Sequence, residues 1–154
     1  MDVKFINPVL TATLETLQMM ANLKASPESP QLKSGVKAKG AVTSLLSMNG
    51  ANIKGSLALS FTFPLLQQLA KTMLDLNIDK IDDVATDLAG ELSNIVTGRS
   101  KALLYESGFD IDMATPSTII GDAHSIDHKI NAPVILMPFD TQFGPFFVEI
   151  CFKT

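Results

Sequence analysis

Apolar residues recur at helical spacing through Leu10, Leu14, Leu17 and Ala21, which predicts a first helix over residues 8–23 with Pro8 in its first turn. Pro27 and Pro30 mark residues 26–33 as a loop. Two strands are then expected, over 36–48 and 53–63, joined by the hairpin signal Asn49-Gly50. In the second, Ser56, Ala58, Ser60 and Thr62 alternate with Leu57, Leu59, Phe61 and Phe63. Pro64 opens a short helix reaching residue 76. The longest element follows over 80–107, free of proline, with apolar positions at Val84, Leu88, Leu92, Ile95, Val96 and Leu103. Asp79 can cap its start and Gly108 can stop it, and at 1.5 Å per residue it is about 40 Å long. Strands are expected over 109–114, 117–120, 125–130, 134–139 and 145–152, the last two separated by a hairpin loop at 140–144. The order is that of an α+β fold, with three helices on an antiparallel sheet. A helix followed by a strand pair occurs twice.

Composition narrows the class. The 154 residues fit a single domain over 1–154 with one core. Hydrophobic residues make up 46% and charged residues 18%, the latter below the roughly 25% of an average globular chain, which excludes intrinsic disorder. A net charge of −4 without a basic cluster excludes nucleic acid as a partner. Cys151 has no second cysteine to pair with, which favours a reducing compartment. The start Met1-Asp2-Val3-Lys4 does not resemble a leader, and the longest apolar run, 133–139, is far short of the roughly 20 residues a bilayer requires. A soluble, cytoplasmic protein with no membrane partner is expected. The seven methionines read as core filler.

Chemistry concentrates on the long helix. At 100° per residue, Asp87, Glu91 and Asn94 fall on one narrow stripe, Gly98 continues it and Gly90 lies beside it. Leu88, Leu92 and Ile95 occupy the opposite arc. Acids and an amide on an amphipathic helix ordinarily form a solvated face. The glycines argue for more, because each costs a helix interior about 1 kcal/mol against alanine. They imply close approach to the backbone, either by a packed neighbour within the domain or by something from outside.

The spacing Asp87-x3-Glu91-x2-Asn94, followed after 21 residues by Pro116, resembles the D/S-x3-E-x2-N-x21-P signature of the CheC/CheX/FliY phosphatases of bacterial chemotaxis. The string Glu91-Leu92-Ser93-Asn94-Ile95-Val96-Thr97-Gly98 is similar to the family's motif helix, and the likeness extends over the chain in length and element order. The resemblance implies a CheC-like fold with the long helix as motif helix. It also implies an activity, removal of the aspartyl phosphate from a phosphorylated CheY-type receiver. In that scheme Asn94 orients the attacking water and Glu91 contacts a receiver lysine beside the phosphate. Asp87 supports docking, Pro116 shapes the loop near the helix, and Gly98 leaves room for the receiver. No cofactor of the protein's own is implied, since the receiver binds the Mg2+. An amide suits the holding of a water, because it both donates and accepts and keeps its charge state near neutral pH. Relatives dimerise through sheet edges, so a homodimer is expected. Family members also work with the deamidase CheD, and the residues argue neither for nor against that partner.

Thr11, Glu15 and Gln18 repeat the motif spacing on the first helix. Threonine replaces Asp or Ser, glutamine replaces Asn, and no proline follows at the matching distance, so this is read as a degenerate second motif. One intact motif places the chain nearer the CheX-like than the CheC-like branch. Two other readings stand beside the phosphatase. One is a domain that docks a receiver or flagellar-switch partner without hydrolysis. The other is a metal hydrolase using His124 and His128, with Asp122 and Asp127 close by, although a third ligand is not evident and no metal site is expected. Asp110 and Asp112 read as a solvated strand face.

Overall fold

The computed structural model describes residues 3–154. In chain order it contains α1 (Val3–Ala21), β1 (Ser26–Pro27), β2 (Gln31–Leu32), β3 (Val42–Gly50), β4 (Ile53–Phe61), α2 (Phe63–Leu74), α3 (Asp83–Glu106), β5 (Ile111–Met113), β6 (Ser117–Ile120), β7 (Val134–Asp140) and β8 (Phe146–Lys153). The strands form one antiparallel sheet in the order β1-β7-β8-β4-β3-β5, with β2 also on β7 and β6 also on β3. The expected α+β architecture of three helices on an antiparallel sheet is the one observed.

Each hairpin presents its second strand to the other hairpin, so β4 and β8 lie side by side from Lys54↔Lys153 to Phe61↔Phe146. The doubled helix-plus-strand-pair pattern thus becomes two halves meeting at the centre of the sheet. One sheet face carries Leu57, Leu59, Phe61, Met137, Phe139, Phe146, Val148 and Ile150, and the helices cover it. Among the described residues no helix is long and apolar enough to cross a membrane.

Several elements differ from expectation, each for a physical reason. α1 is already helical at Val3, the first described residue and well ahead of Pro8, because Phe5, Ile6 and Val9 bury against the core. Pro8 therefore lies inside the helix, where its missing N–H removes one intrahelical bond. α3 begins at Asp83, not at residue 80; the cap is Asp82, whose carboxylate accepts from the Ala85 N–H at 3.1 Å. Its end is as expected, with Gly108 at φ +95° and the Phe109 N–H donating to the Leu104 carbonyl at 2.9 Å. Residues 26–33 are not all loop: β1 and β2 pair with the outer edge of β7. The strand expected over 109–114 shortens to β5.

Residues 36–41 and 125–130, strands by their pattern, do not join the ladder. They meet at one bridge, Lys37↔Ser125, and lie across the sheet face away from the helices. The alternation in 125–130 is real, since Ile126 and His128 are buried between exposed Ser125, Asp127 and Lys129. It serves packing onto a sheet face, and positive φ at Ala123 (52°) and Lys129 (57°) bends the segment away from regular strand.

The far face of β4 is consequently buried as well. Polar residues there and on the neighbouring β8 find partners. Lys33 donates to Glu149 at 2.8 Å, with side chains only 2% and 0% exposed. The other carboxylate oxygen accepts from His128 Nε2 at 3.0 Å, and His128 Nδ1 lies 2.7 Å from Ser56 Oγ. A carboxylate can only accept, so in the neutral imidazole Nε2 carries the hydrogen and Nδ1 accepts from the Ser56 hydroxyl. Removing one member leaves the remaining charge buried. Lys33→Met should therefore destabilise the fold by about 3 kcal/mol in chemical denaturation, and Lys33→Met with Glu149→Leu should recover much of the loss.

Candidate functional site on helix α3

α3 buries Ala85, Leu88, Ala89, Leu92, Val96 and Leu104 on one side, against α1, α2 and the β3, β5 and β6 region of the sheet. Ile95, expected in the buried arc, is half-buried at its margin. This anchoring fixes the opposite arc outward. Asp87, Glu91, Asn94 and Gly98 are all exposed along it, as their spacing implies.

No hydrogen bond or ion pair within the described chain engages the side chains of Asp87, Glu91 or Asn94. The neighbouring polar residues behave differently. Ser93 Oγ donates to the Ala89 carbonyl at 2.8 Å and Thr97 Oγ1 to the Asn94 carbonyl at 2.9 Å, so both are tied to the helix backbone. The outward acid and amide keep their full hydrogen-bonding capacity for a molecule approaching from solvent.

The glycines give a second geometric fact. A Cβ added at Gly90 or Gly98 would meet nothing within 4 Å. A packed neighbour within the described chain therefore does not account for either glycine. The bare backbone at Gly98 opens outward, on the same stripe as Asn94.

Pro116 lies between β5 and β6, in the sheet layer and not on the stripe. β5 pairs with β3 in the register Met48↔Met113, and β6 in the register Leu45↔Ser117. Residues 114–116 thus face only Leu46 and Ser47, a bulge of one extra residue. Proline suits a bulge because it has no ladder N–H to offer.

On α1, Thr11 and Gln18 are exposed, but Glu15 is engaged. Its carboxylate accepts from Arg99 Nε at 2.8 Å, tying α1 to α3 beside the stripe. This hydrogen bond, with the attraction of the same carboxylate, raises the guanidinium pKa above its ordinary value. Gln18 donates to Asn22 at 2.9 Å. The motif echo therefore has its acid and its amide in internal bonds, unlike Glu91 and Asn94.

The two histidines are likewise occupied. His128 contacts Ser56 and Glu149, while His124 Nδ1 donates to the Gly121 carbonyl at 2.8 Å and Nε2 lies 2.6 Å from Thr43 Oγ1. Both ring nitrogens of each histidine thus have protein partners, and among the described residues no three His, Cys, Asp or Glu side chains converge as a metal would require. Asp112 faces solvent and pairs with Lys101 at 3.3 Å. Burial pushes the Cys151 thiol pKa up, which suits an inert core residue.

The family model for the chemotaxis phosphatase CheX matches residues 42–140, a span that includes the whole of α3. The chemotaxis protein CheX of Vibrio vulnificus has a crystal structure that superposes with a TM-score of 0.90 at 40% identity, covering 97% of this chain and 99% of that one. A Borrelia burgdorferi complex of CheX with CheY, BeF3 and Mg2+ superposes with a TM-score of 0.79 at 23% identity, covering 97% of this chain and 98% of that one, a likeness of fold. The CheY-P phosphatase CheX of Thermotoga maritima is 22% identical over 122 residues, which is 79% of this chain and 78% of that protein.

The open space at the helical glycines carries a stability prediction. Gly98→Ala gains helix propensity and loses no packing, so it should raise stability by about 1 kcal/mol, or the melting temperature by about 2–4 °C. A drop in melting temperature would show that a neighbour does occupy the space.

Proposed function

The chain belongs to the chemotaxis phosphatase CheX family, and on that footing we propose that it hydrolyses the aspartyl phosphate of a CheY-type receiver with Asn94 as its central catalytic residue. One observation carries the assignment: Glu91 and Asn94 stand one turn apart on an exposed stripe, free of internal partners, beside a glycine with open space above it.

Phosphoryl transfer depends mainly on positioning and on electrostatic stabilisation. The receiver brings its own Mg2+ and the phosphorylated aspartate. What remains is to place a water in line with phosphorus, and the Asn94 amide does this by accepting from the water and donating to it. Glu91 contacts a lysine of the receiver beside the phosphate. That charge pair orients the docked helix and fixes which turn of α3 enters the site. Asp87 extends the acidic stripe toward the helix start and assists docking. Gly98 lets the receiver surface approach the helix backbone. The bulge at Pro116 holds the strand beneath α3 in shape.

The Thr11, Glu15 and Gln18 echo is read as an inactive second copy. Its acid is held by Arg99, so it is not available to a receiver lysine. A homodimer would use the β5–β6 edge, since among the described residues no strand pairs with its outer side and Ile120 there is exposed. The reading places the protein in the cytoplasm with its receiver.

Phosphate release from a phosphorylated CheY-type receiver with Mg2+ tests the assignment. Wild-type protein should accelerate it, and Asn94→Ala should remove the acceleration by about 100-fold or more while leaving the melting temperature unchanged. Glu91→Gln should weaken docking and reduce the dependence of the rate on salt. An Asn94→Ala variant that unfolds would make the residue structural. Binding to receivers without any acceleration would leave a docking domain in place of an enzyme.

A further inference from the structure

We propose that the receiver docks along the whole exposed face of α3 and that Tyr105, about three turns beyond Asn94, is an anchor of that contact that sets affinity and not rate. The inference rests on the phosphatase reading and extends the site in a direction the motif does not reach.

Eighteen residues separate Asp87 from Tyr105, which is about five full turns, so Tyr105 returns to the Asp87 line. Gly98, Ala102 and Tyr105 continue the stripe at i, i+4 and i+7; Gly98, Ala102 and Tyr105 all reach solvent. Tyr105 is the only tyrosine of the chain. It is 68% exposed, an uncovered aromatic on a helix otherwise anchored by aliphatic residues. Beside it lies an open cleft of about 480 Å³, bounded by Gly98, Ala102, Tyr105 and Ile111 with Lys101 and Asp110 at its rim. Ile111 lies buried at its base, so the exposed apolar lining is Ala102 and the Tyr105 ring, and Lys101 is drawn toward Asp112 at 3.3 Å. An exposed aromatic beside a small apolar residue, with charged groups at the rim, suits an anchor at a protein interface.

The occupant follows from continuity and scale. A protein interface of standard size covers about 800 Å² on each partner, a disc of about 16 Å radius. Tyr105 lies eleven residues beyond Asn94, about 16 Å along the axis, and Asp87 lies about 10 Å the other way. A receiver centred on Asn94 therefore reaches Tyr105 at the edge of its footprint, and one centred midway between Asp87 and Tyr105 covers both. The cleft would take an apolar side chain from the receiver surface flanking that site. Gly98 keeps the helix backbone low between the two contacts, where a side chain would separate the surfaces. A second copy of this chain seated on the same stripe would cover Asn94, which would oppose the activity.

Steady-state phosphate release, measured over a range of phosphorylated receiver concentrations, separates affinity from rate. The dissociation constant for beryllium fluoride-activated receiver is measured alongside. Tyr105→Ala should raise KM and the dissociation constant about tenfold while kcat stays within about twofold, and Tyr105→Phe should restore most of the affinity. Asn94→Ala should do the reverse, losing kcat and keeping binding. Unchanged KM and binding in Tyr105→Ala would overturn the proposal. So would a shift in oligomeric state by sedimentation with KM unaltered, which would assign the face to a second copy. Were wild-type protein to bind the activated receiver without hydrolysing its phosphate, the phosphatase reading alone would fail, and the binding arm would still decide Tyr105.

Discussion

The pairing of β4 with β8 is the constraint on which the rest of the structure depends. These strands come from opposite halves of the chain, and their ladder is what makes one sheet from two hairpins. Both are buried on both faces over most of their length. Their helix-side residues give α1 and α3 a common apolar floor. Their far-side residues, Ser56 and Ser60 on β4 and Glu149 on β8, require polar partners because solvent does not reach them. Lys33, His128 and, through Thr43, His124 supply these partners, so the irregular segments that carry them are positioned by the sheet's hydrogen-bonding needs as much as by apolar contacts.

That arrangement leaves α3 one-sided, with one arc seated in the core and the other in solvent. A site on a helix seated in a core holds its outward groups in fixed directions, and here those groups form no internal bonds. On the proposed reading the protein presents few catalytic parts, and they suffice if the substrate carries the rest. A receiver with its own metal would require little more than an amide in the correct place and an acid to register it. A Cβ at Gly90 or Gly98 would meet nothing within 4 Å, so packing within the described chain does not offset the helix propensity that either glycine forgoes.

Much of this is legible in residue order. Periods of 3.6 and 2 locate α1, α3, β3, β4, β7 and β8, and Asp87-x3-Glu91-x2-Asn94 places the site on one stripe, because helical geometry is local. The differences fall where local pattern and tertiary packing compete. Pro8 looks like a helix start until Phe5 and Ile6 are seen to be core. Residues 125–130 alternate like a strand, yet the alternation records burial against a sheet face. The serines of β4 alternate with apolar residues as a solvated face would, and are instead covered. Tyr105 lies beyond the motif, whose last residue on the helix is Asn94, and in the sequence only the eighteen-residue period from Asp87 points to it.

The sequence by itself determined the class of fold, the motif helix and which of its residues share a face, since all three follow from backbone periodicity and residue chemistry within one element. Only the tertiary structure decided which of the two similar helices has a free acid, because Glu15 and Arg99 are 84 residues apart and meet only when α1 packs on α3. It also decided that the space above Gly98 is empty and that a histidine and a lysine satisfy a carboxylate beneath the sheet. These are relations between distant segments, and periodicity within one segment carries no information about its neighbours.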